Sequence, residues 1–176
     1  ISVDTFRSEI AKRSFEEGAN IINDISGGSY DDKMFQTISE IKVPYVLMHL
    51  RGTPNNMMSK TKYKNLLLNL IEYFDKKTTK LKSYGVNDII IDPGFGFAKD
   101  FDQNYDILKN LNLFNIFDLP ILVGLSRKSF VKKKYGIENS LKGTIDLNKI
   151  AIEKGANIIR VHDVLEHHNL IKNFYK

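Results

Sequence analysis

The sequence contains no cysteine in its 176 residues. This absence excludes disulfide bonds, thiolate metal ligands and a cysteine nucleophile, and it is compatible with a reducing compartment. No apolar run approaches the ~20 residues of a membrane span. The first residues, ISVDTFRSEI, also lack the basic and then apolar order of a signal peptide. We therefore expect a cytoplasmic protein without a membrane partner.

Several motifs that identify common binding sites are also missing. There is no GxGxxG after the first predicted strand and no GxxxxGKS/T, so dinucleotide and P-loop sites find no support. HxH and HExxH are absent, which argues against a built-in zinc site. The net charge of +5 comes mostly from lysines spread along predicted helices, without a compact basic cluster among exposed aromatic residues. No nucleic-acid partner is expected.

Strand-like and helix-like segments alternate along the chain. The predicted strands are β-branched runs that end on polar residues, at 1–4, 19–24, 44–49, 88–92, 120–125 and 156–162. The first predicted helix begins after Thr5, its proposed N-cap, and the second begins at Asp31 or Asp32. Five more helices are predicted at 63–84, 104–111, 130–135, 143–154 and 165–175. Residues 50–61 are the longest predicted loop. The alternation predicts a parallel α/β sheet in one domain, residues 1–176.

Two parallel architectures are open at this point, a doubly wound sheet and a (β/α)8 TIM barrel. Polar residues follow every predicted strand and do not meet at one switch point. This favours the barrel, because a barrel active site collects side chains from all strand ends. A closed barrel of this type needs eight strands, and the sequence shows six. We therefore expect the C-terminal six strand–helix units, strands 3–8, with two units upstream of Ile1.

The stretch from Asp88 to Lys99, DIIIDPGFGFAK, shows the pattern most clearly. Its three isoleucines predict a strand buried on both faces, and Pro93 ends that strand because proline cannot donate a ladder hydrogen bond. Asp92 is thereby predicted to lie at the carboxyl end of a strand, beside a glycine-rich loop. In parallel α/β proteins this is where ligands bind.

The other predicted strands also bring polar side chains to their carboxyl ends. Together with Asp92 these are Asp4, Asn23, Asp24, His49, Ser126, Lys128, Ser129, Arg160 and His162. Two carboxylates and an amide can read the edge of a planar heterocycle with adjacent N–H donors. The cations near the last two strands suit a phosphate-like group. His167 and His168 fall on the last predicted helix, and we expect both at the surface.

Six motifs, in order along the chain, carry a resemblance to a known family. They are SVDT at 2–5, INDISGG at 22–28, LMH at 47–49, IDPGFGFAK at 91–99, GLSRKSF at 124–130 and RVHDV at 160–164. On these motifs the chain resembles the dihydropteroate synthases of folate biosynthesis. The resemblance implies a (β/α)8 barrel and a transferase. Its reaction would join 7,8-dihydropterin-6-ylmethyl diphosphate to 4-aminobenzoate, giving 7,8-dihydropteroate and diphosphate.

The resemblance also implies roles for individual residues. Those that would hold the pterin are Asp4, Asn23, Met48, Asp92, Lys128 and Arg160. Those that would bind the diphosphate are Arg160 and His162, and those that would border the aminobenzoate are Phe97 and Ser129. The catalytic set would be Asp92, Lys128 and Arg160. Mg²⁺ would assist the departing diphosphate, with its asparagine ligand upstream of this chain and no metal ligand within it. A homodimer, with the last helix at its interface as in relatives, is left open.

Two segments of the family pattern are missing, an NVTPDSF-like first strand and an STRPG-like second loop. The chain alone is therefore expected to lack useful turnover, whereas a longer parent polypeptide would be active. Two alternatives stay open. One is a pterin-binding methyltransferase module, which the SRKS and RVHDV motifs disfavour because methyl transfer has no diphosphate to hold. The other is a non-catalytic pterin-binding fragment.

Overall fold

The computed structural model describes residues 1–174, in which strands and helices alternate. The strands are β1 (Ser2–Asp4), β2 (Ile21–Asp24), β3 (Tyr45–Met48), β4 (Ile89–Asp92), β5 (Leu122–Val123) and β6 (Ile158–Ile159). The α-helices are α1 (Ser8–Glu16), α2 (Met34–Ile41), α3 (Leu66–Ser83), α4 (Phe101–Lys109), α5 (Ser129–Tyr135), α6 (Ser140–Glu153) and α7 (Val164–Phe174). Two 3₁₀ helices, Met57–Lys60 and Leu111–Phe117, lie between them. Each predicted strand is present and shorter than predicted. The predicted end of the last helix, Tyr175, lies outside the described residues.

The strands form a parallel arrangement in chain order. β1 to β4 pair successively, and β5 pairs with β6. A parallel bridge between Ile91 and Ile121 joins the two groups, and the N–H of Ile91 donates to the carbonyl of Pro120 at 2.9 Å. The α/β class and the parallel sheet are thus confirmed. Since all strands run the same way, their carboxyl ends open on one edge.

Side chains alternate between two buried faces of the strands. Tyr45, Leu47, Ile89 and Ile91 belong to the large core beneath the helices. The alternate positions belong to a separate group on the other face, which we call the concave cluster: Ile21, Val46, Ile90, Leu122 and Ile158. Its members come from consecutive strands, β2 to β6. The sheet is therefore curved, so that side chains on its concave face meet each other.

The helices α1, α2 and α4 begin at other residues than predicted. Thr5 is not the N-cap of α1. Its hydroxyl accepts the N–H of Arg7 at 3.1 Å, and Arg7 is the N-cap residue that precedes the first helical residue, Ser8. The Asp31 carboxylate accepts the N–H of Ser8 at 2.7 Å and that of Lys33 at 3.0 Å. α2 consequently begins after Lys33. Asp100 forms a capping box that starts α4 three residues before the prediction.

The prediction that His167 lies at the surface is wrong. This residue is 1% exposed, because α7 packs against α6. Its Nδ1 lies 2.7 Å from the carbonyl oxygen of Asp163. His168, the next residue on the helix, is exposed as predicted. Among residues 1–174, no helix combines the length and the apolar character that crossing a bilayer requires.

Candidate functional site

A cavity lies directly above the concave cluster, at the carboxyl edge of the sheet. Strand side chains repeat on one face every two residues, so the next inward layer is found two positions further along each strand. That layer consists of Asn23, Met48, Asp92, Gly124 and Arg160, and all of them line a cavity of about 310 Å³. The loops behind the strands complete the wall with Ile25, Phe97, Ser126, Lys128, Val161 and His162.

Asp92 is the buried carboxylate of this cavity. The residue is 8% exposed, and its Oδ1 accepts the N–H of Gly94 at 2.7 Å. Burial raises the pKa of Asp92 above its ordinary value. The bond from Gly94 opposes this rise, as do three nearby cations, those of Lys128, Lys99 and Arg160. A carboxylate accepts on both oxygens, so Asp92 retains acceptor capacity for the N–H groups of a ligand.

Lys128 links this carboxylate to the loop that follows it. Its ammonium donates to the backbone carbonyl of Phe95 and lies 4.8 Å from the centre of the Phe97 ring. Burial lowers the pKa of Lys128, and the charge of Asp92 opposes that decrease. The lysine therefore places a cation beside the Phe95 carbonyl and the Phe97 ring, which forms an aromatic wall of the cavity.

Asp4, Asn23 and Arg160 are joined by hydrogen bonds at the rim. Asn23 Nδ2 donates to Asp4 Oδ1 at 2.8 Å, and Arg160 Nη2 donates to Asp4 Oδ2 at 2.7 Å. The two ionised side chains remain largely accessible, 50% exposed for Asp4 and 61% for Arg160. Asn23 Oδ1 is buried and has no hydrogen-bond partner within the described residues. An acceptor in this state fits a ligand that brings an N–H donor.

The loops behind β5 and β6 are held to each other beside the cavity. The Arg127 guanidinium binds both carboxylate oxygens of Asp163, with Nε 3.1 Å from Oδ2. Arg127 adopts a left-handed backbone with φ 53°, and its N–H donates to Thr144 Oγ1 at 3.1 Å. The N–H of His162 also lies 3.3 Å from Ser126 Oγ. These contacts fix the spacing between Lys128 and His162.

Gly94, in the loop behind β4, leaves no room for a larger side chain. Its φ is +71°, and a Cβ built there would lie 2.2 Å from the backbone oxygen of His49. Gly18 has a similar φ of +95° but open space around the same position. The two glycines therefore separate backbone strain from a steric clash.

We expect Gly94→Ala to lower the free energy of unfolding by about 3 kcal/mol or more, since it adds a clash with rigid backbone to left-handed strain of about 1–2 kcal/mol. Gly18→Ala should show only the strain. Urea unfolding of both variants measures the difference. Equal losses would contradict the close approach of Gly94 to His49.

Most of the residues predicted for the site line the cavity. Four of the polar residues predicted at strand ends do not. Asp4 lies at the rim and binds Asn23 and Arg160, and Ser129 is exposed at the start of α5. Asp24 and His49 are buried outside the cavity wall, where Asp24 accepts the hydroxyl of Tyr45 at 2.7 Å and His49 Nδ1 lies 3.0 Å from Lys99 Nζ.

Three wall residues, Ile25, Gly124 and Val161, were not predicted from the sequence. Gly124 could have been found by counting two positions beyond the apolar residue of each strand. Nothing in a one-dimensional pattern indicates Val161.

No three His, Asp or Glu side chains come together as a metal site anywhere in residues 1–174. These residues therefore do not by themselves fit the Mg²⁺ that the resemblance implies.

Comparison with known proteins gives three findings. The family model described as "Pterin binding enzyme" matches residues 1–162. The dihydropteroate synthase of Synechocystis is 38% identical over 93% of this chain, and that of Escherichia coli is 38% identical over 94%. The matches span 58% and 60% of these relatives, so the chain covers less than two thirds of their length.

Two solved structures illustrate the similarity of the fold. Dihydropteroate synthase from Thermus thermophilus, in complex with 4-aminobenzoate, has a TM-score of 0.94 and 30% identity, covering 99% of this chain and 69% of that one. The Xanthomonas albilineans enzyme, in complex with 7,8-dihydropteroate, has a TM-score of 0.91 and 27% identity, covering 99% and 67%.

Proposed function

This chain belongs to the pterin binding enzyme family, and from that premise we propose that it forms most of a dihydropteroate synthase active site. The proposed reaction condenses 7,8-dihydropterin-6-ylmethyl diphosphate with 4-aminobenzoate and releases diphosphate. The relatives at 38% identity carry that name, and the related structures with 4-aminobenzoate or 7,8-dihydropteroate support the choice of substrates.

The observation that carries the proposal is that one cavity combines buried acceptors with cations. The buried Asp92 carboxylate and the unpartnered oxygen of Asn23 offer the acceptors. A pterin presents adjacent N–H donors on one edge of a planar ring, which such acceptors can bind in parallel. Arg160 and His162 follow β6 and line the same cavity, where their positive charge would suit a diphosphate.

The proposed chemistry needs no protein nucleophile. The bond between the pterin methylene and the diphosphate oxygen breaks, and its electron pair leaves with the diphosphate. The amine of 4-aminobenzoate then bonds to that carbon and loses a proton. Arg160 and His162 would stabilise the departing anion, while Asp92 would stabilise the positive charge that develops on the pterin.

We place the second substrate beside the loop behind β4. The Phe97 ring lines the cavity, with the Lys128 ammonium 4.8 Å from its centre, and it would provide a flat apolar wall for the arylamine. Ser129 is proposed as a border residue from the outer side, where its exposed side chain begins α5.

We also propose that these strands are six of the eight of a (β/α)8 barrel, strands 3–8. The concave cluster draws side chains from β2 to β6. The Arg160–Asp4 ion pair, with 2.7 Å between Nη2 and Oδ2, connects the first strand to the last across the mouth. Such closure is expected of a sheet curved to barrel radius.

Three further features of the proposed enzyme are also proposals. Mg²⁺ is the proposed cofactor, although residues 1–174 contain no cluster of three acidic or histidine side chains that could hold it. A homodimer through the last helix is a prediction for sedimentation measurements. A cytoplasmic location is likewise a prediction, which fractionation of the source cells would test.

The test uses the full-length protein that carries this sequence, with the pterin diphosphate, radiolabelled 4-aminobenzoate and Mg²⁺. We expect labelled 7,8-dihydropteroate, and none when the pterin diphosphate is replaced by the unactivated pterin alcohol. Pterin binding without labelled product would favour the non-catalytic alternative and contradict the proposed reaction.

A further inference from the structure

Lys99 is a charged residue that is buried beside the cavity without lining it. It is 2% exposed. Its Nζ lies 3.0 Å from Nδ1 of His49 and 3.0 Å and 2.9 Å from the carbonyl oxygens of Gly94 and Phe97. An ammonium has three N–H donors, so these three acceptors satisfy it completely. A buried ammonium destabilises a fold unless it is satisfied in this way, and packing alone would be served better by an apolar side chain.

Two of the three acceptors of Lys99 are the carbonyl oxygens at the two ends of the loop behind β4, Gly94 and Phe97. Gly94, at one end, also donates its N–H to Asp92 at 2.7 Å. Phe97, at the other end, forms the aromatic wall of the cavity. The middle of this loop is held separately, because the N–H of Gly96 donates to Asn104 Oδ1 at 2.6 Å. Lys99 is therefore the side chain that binds both ends of the loop at once.

We propose that Lys99 is a positioning residue of the pterin site: its ammonium ties the loop from Gly94 to Phe97 to His49, and thereby orients Asp92 and the aromatic wall. This inference rests on the proposed function, since it assigns a role within the same site. Lys99 is not a catalytic residue, because it does not reach the cavity.

His49 is the neutral acceptor that the arrangement requires. Burial lowers the pKa of His49 well below its ordinary value, and the charges of Lys99 and Arg51 lower it further. The imidazole ring packs between two tyrosines, 4.8 Å from the ring centre of Tyr73 and 6.2 Å from that of Tyr63. A neutral imidazole can leave Nδ1 bare, so that it accepts from the ammonium.

The charge of Lys99 is sensitive to pH near neutrality. Burial lowers the pKa of Lys99 to about 7, while Asp92 opposes the decrease and Lys128 adds to it. The other charged and titratable groups around Lys99 and its partner are His49, Arg51, Tyr63 and Tyr73. A neutral amine has two N–H donors for three acceptors and no longer carries a charge, so the tie between His49 and the loop weakens as the pH rises through this pKa. Pterin affinity should therefore fall as the pH rises from 6 to 8.5.

The experiment measures the dissociation constant of 7,8-dihydropterin by fluorescence between pH 6 and pH 8.5, in the full-length protein. At pH 6 we expect Lys99→Met to bind about 10- to 100-fold more weakly than wild type, the effect of losing hydrogen bonds to a charged group. The variant should also lack the wild-type fall in affinity near pH 7. Lys109→Met, on the exposed end of α4, serves as the control and should match wild type. Titration of the ligand itself is common to all three proteins.

A second pair of variants keeps the test decisive if Lys99→Met does not fold. His49→Leu removes one acceptor from the ammonium, so the fall in affinity should move to lower pH, whereas His49→Gln retains an acceptor and should stay closer to wild type. Folded Lys99→Met with wild-type affinity at pH 6 would overturn the role of Lys99, as would His49→Leu without a shift. A wild type that binds no pterin at any pH would overturn the proposed function, and this inference with it.

Discussion

Replacing Asp92 by asparagine should weaken pterin binding on the order of 100-fold, with a loss of product formation at least as large. Asparagine keeps an oxygen that can accept the Gly94 N–H, which wild-type Oδ1 accepts at 2.7 Å. The loop is therefore expected to stay in place. What the variant loses is the charge and the second acceptor, because a donor NH₂ would now face the N–H groups of the pterin. Titration calorimetry with 7,8-dihydropterin measures the binding loss directly.

The matched control for this prediction is Asp88→Asn. Asp88 is exposed and precedes β4, whereas Asp92 is buried and ends the same strand. Both substitutions remove one negative charge, so a general electrostatic effect would appear in both variants. We expect Asp88→Asn to bind pterin like wild type. Equal affinities in the Asp92→Asn and Asp88→Asn proteins would show that the buried carboxylate does not read the ligand.

The sequence predicted which side chains face the cavity where strand periodicity decides their direction. Asn23, Met48, Asp92 and Arg160 each stand two residues beyond a member of the concave cluster, which faces inward. A strand places alternate residues on the same face, so the sequence alone predicts that these four side chains point inward. The exact partners could not, because hydrogen bonds such as Asn23 to Asp4 depend on the register between strands.

The predictions were weakest where distant loops meet. Lys99 stood in a recognised motif, yet nothing local indicates that its ammonium reaches His49, a residue on a different strand and loop. His167 was expected at the surface because it lies on the last helix, away from the strand ends, whereas packing against α6 buries it. Ser129 was grouped with Lys128 by sequence, but the start of α5 leaves it exposed and outside the cavity wall. For Lys99 and His167 the deciding feature is a tertiary contact that the local pattern does not contain.

Substituting Lys128 by methionine should lower the rate of product formation about 100-fold and shift the pH dependence of pterin binding. We expect the ammonium to act through two neighbours, because it donates to the carbonyl of Phe95 and lies near Asp92. Loss of a buried charge-assisted contact with its partner left unpaired has an effect of about this size. Methionine retains most of the volume and the apolar contact with the Phe97 ring.

The direction of the pH shift follows from the charge of Lys128. Burial raises the pKa of Asp92, and Lys128 is the strongest of the groups that lower it. Without that cation the pKa of Asp92 rises further, so the carboxylate becomes protonated at a higher pH. Pterin affinity is lost when Asp92 is protonated, and the loss should therefore begin at higher pH in Lys128→Met than in wild type.

Affinity measured from pH 7 down to pH 4 would establish this shift, with Lys132→Met as the control. Lys132 lies on the exposed side of the same helix, α5, and it loses the same charge far from the cavity. Its acid limb should coincide with that of wild type. A Lys128→Met protein whose acid limb also coincides with wild type would mean that Asp92 does not depend on this cation. The charge that keeps Asp92 ionised would then have to come from Lys99 or Arg160, the other cations near it.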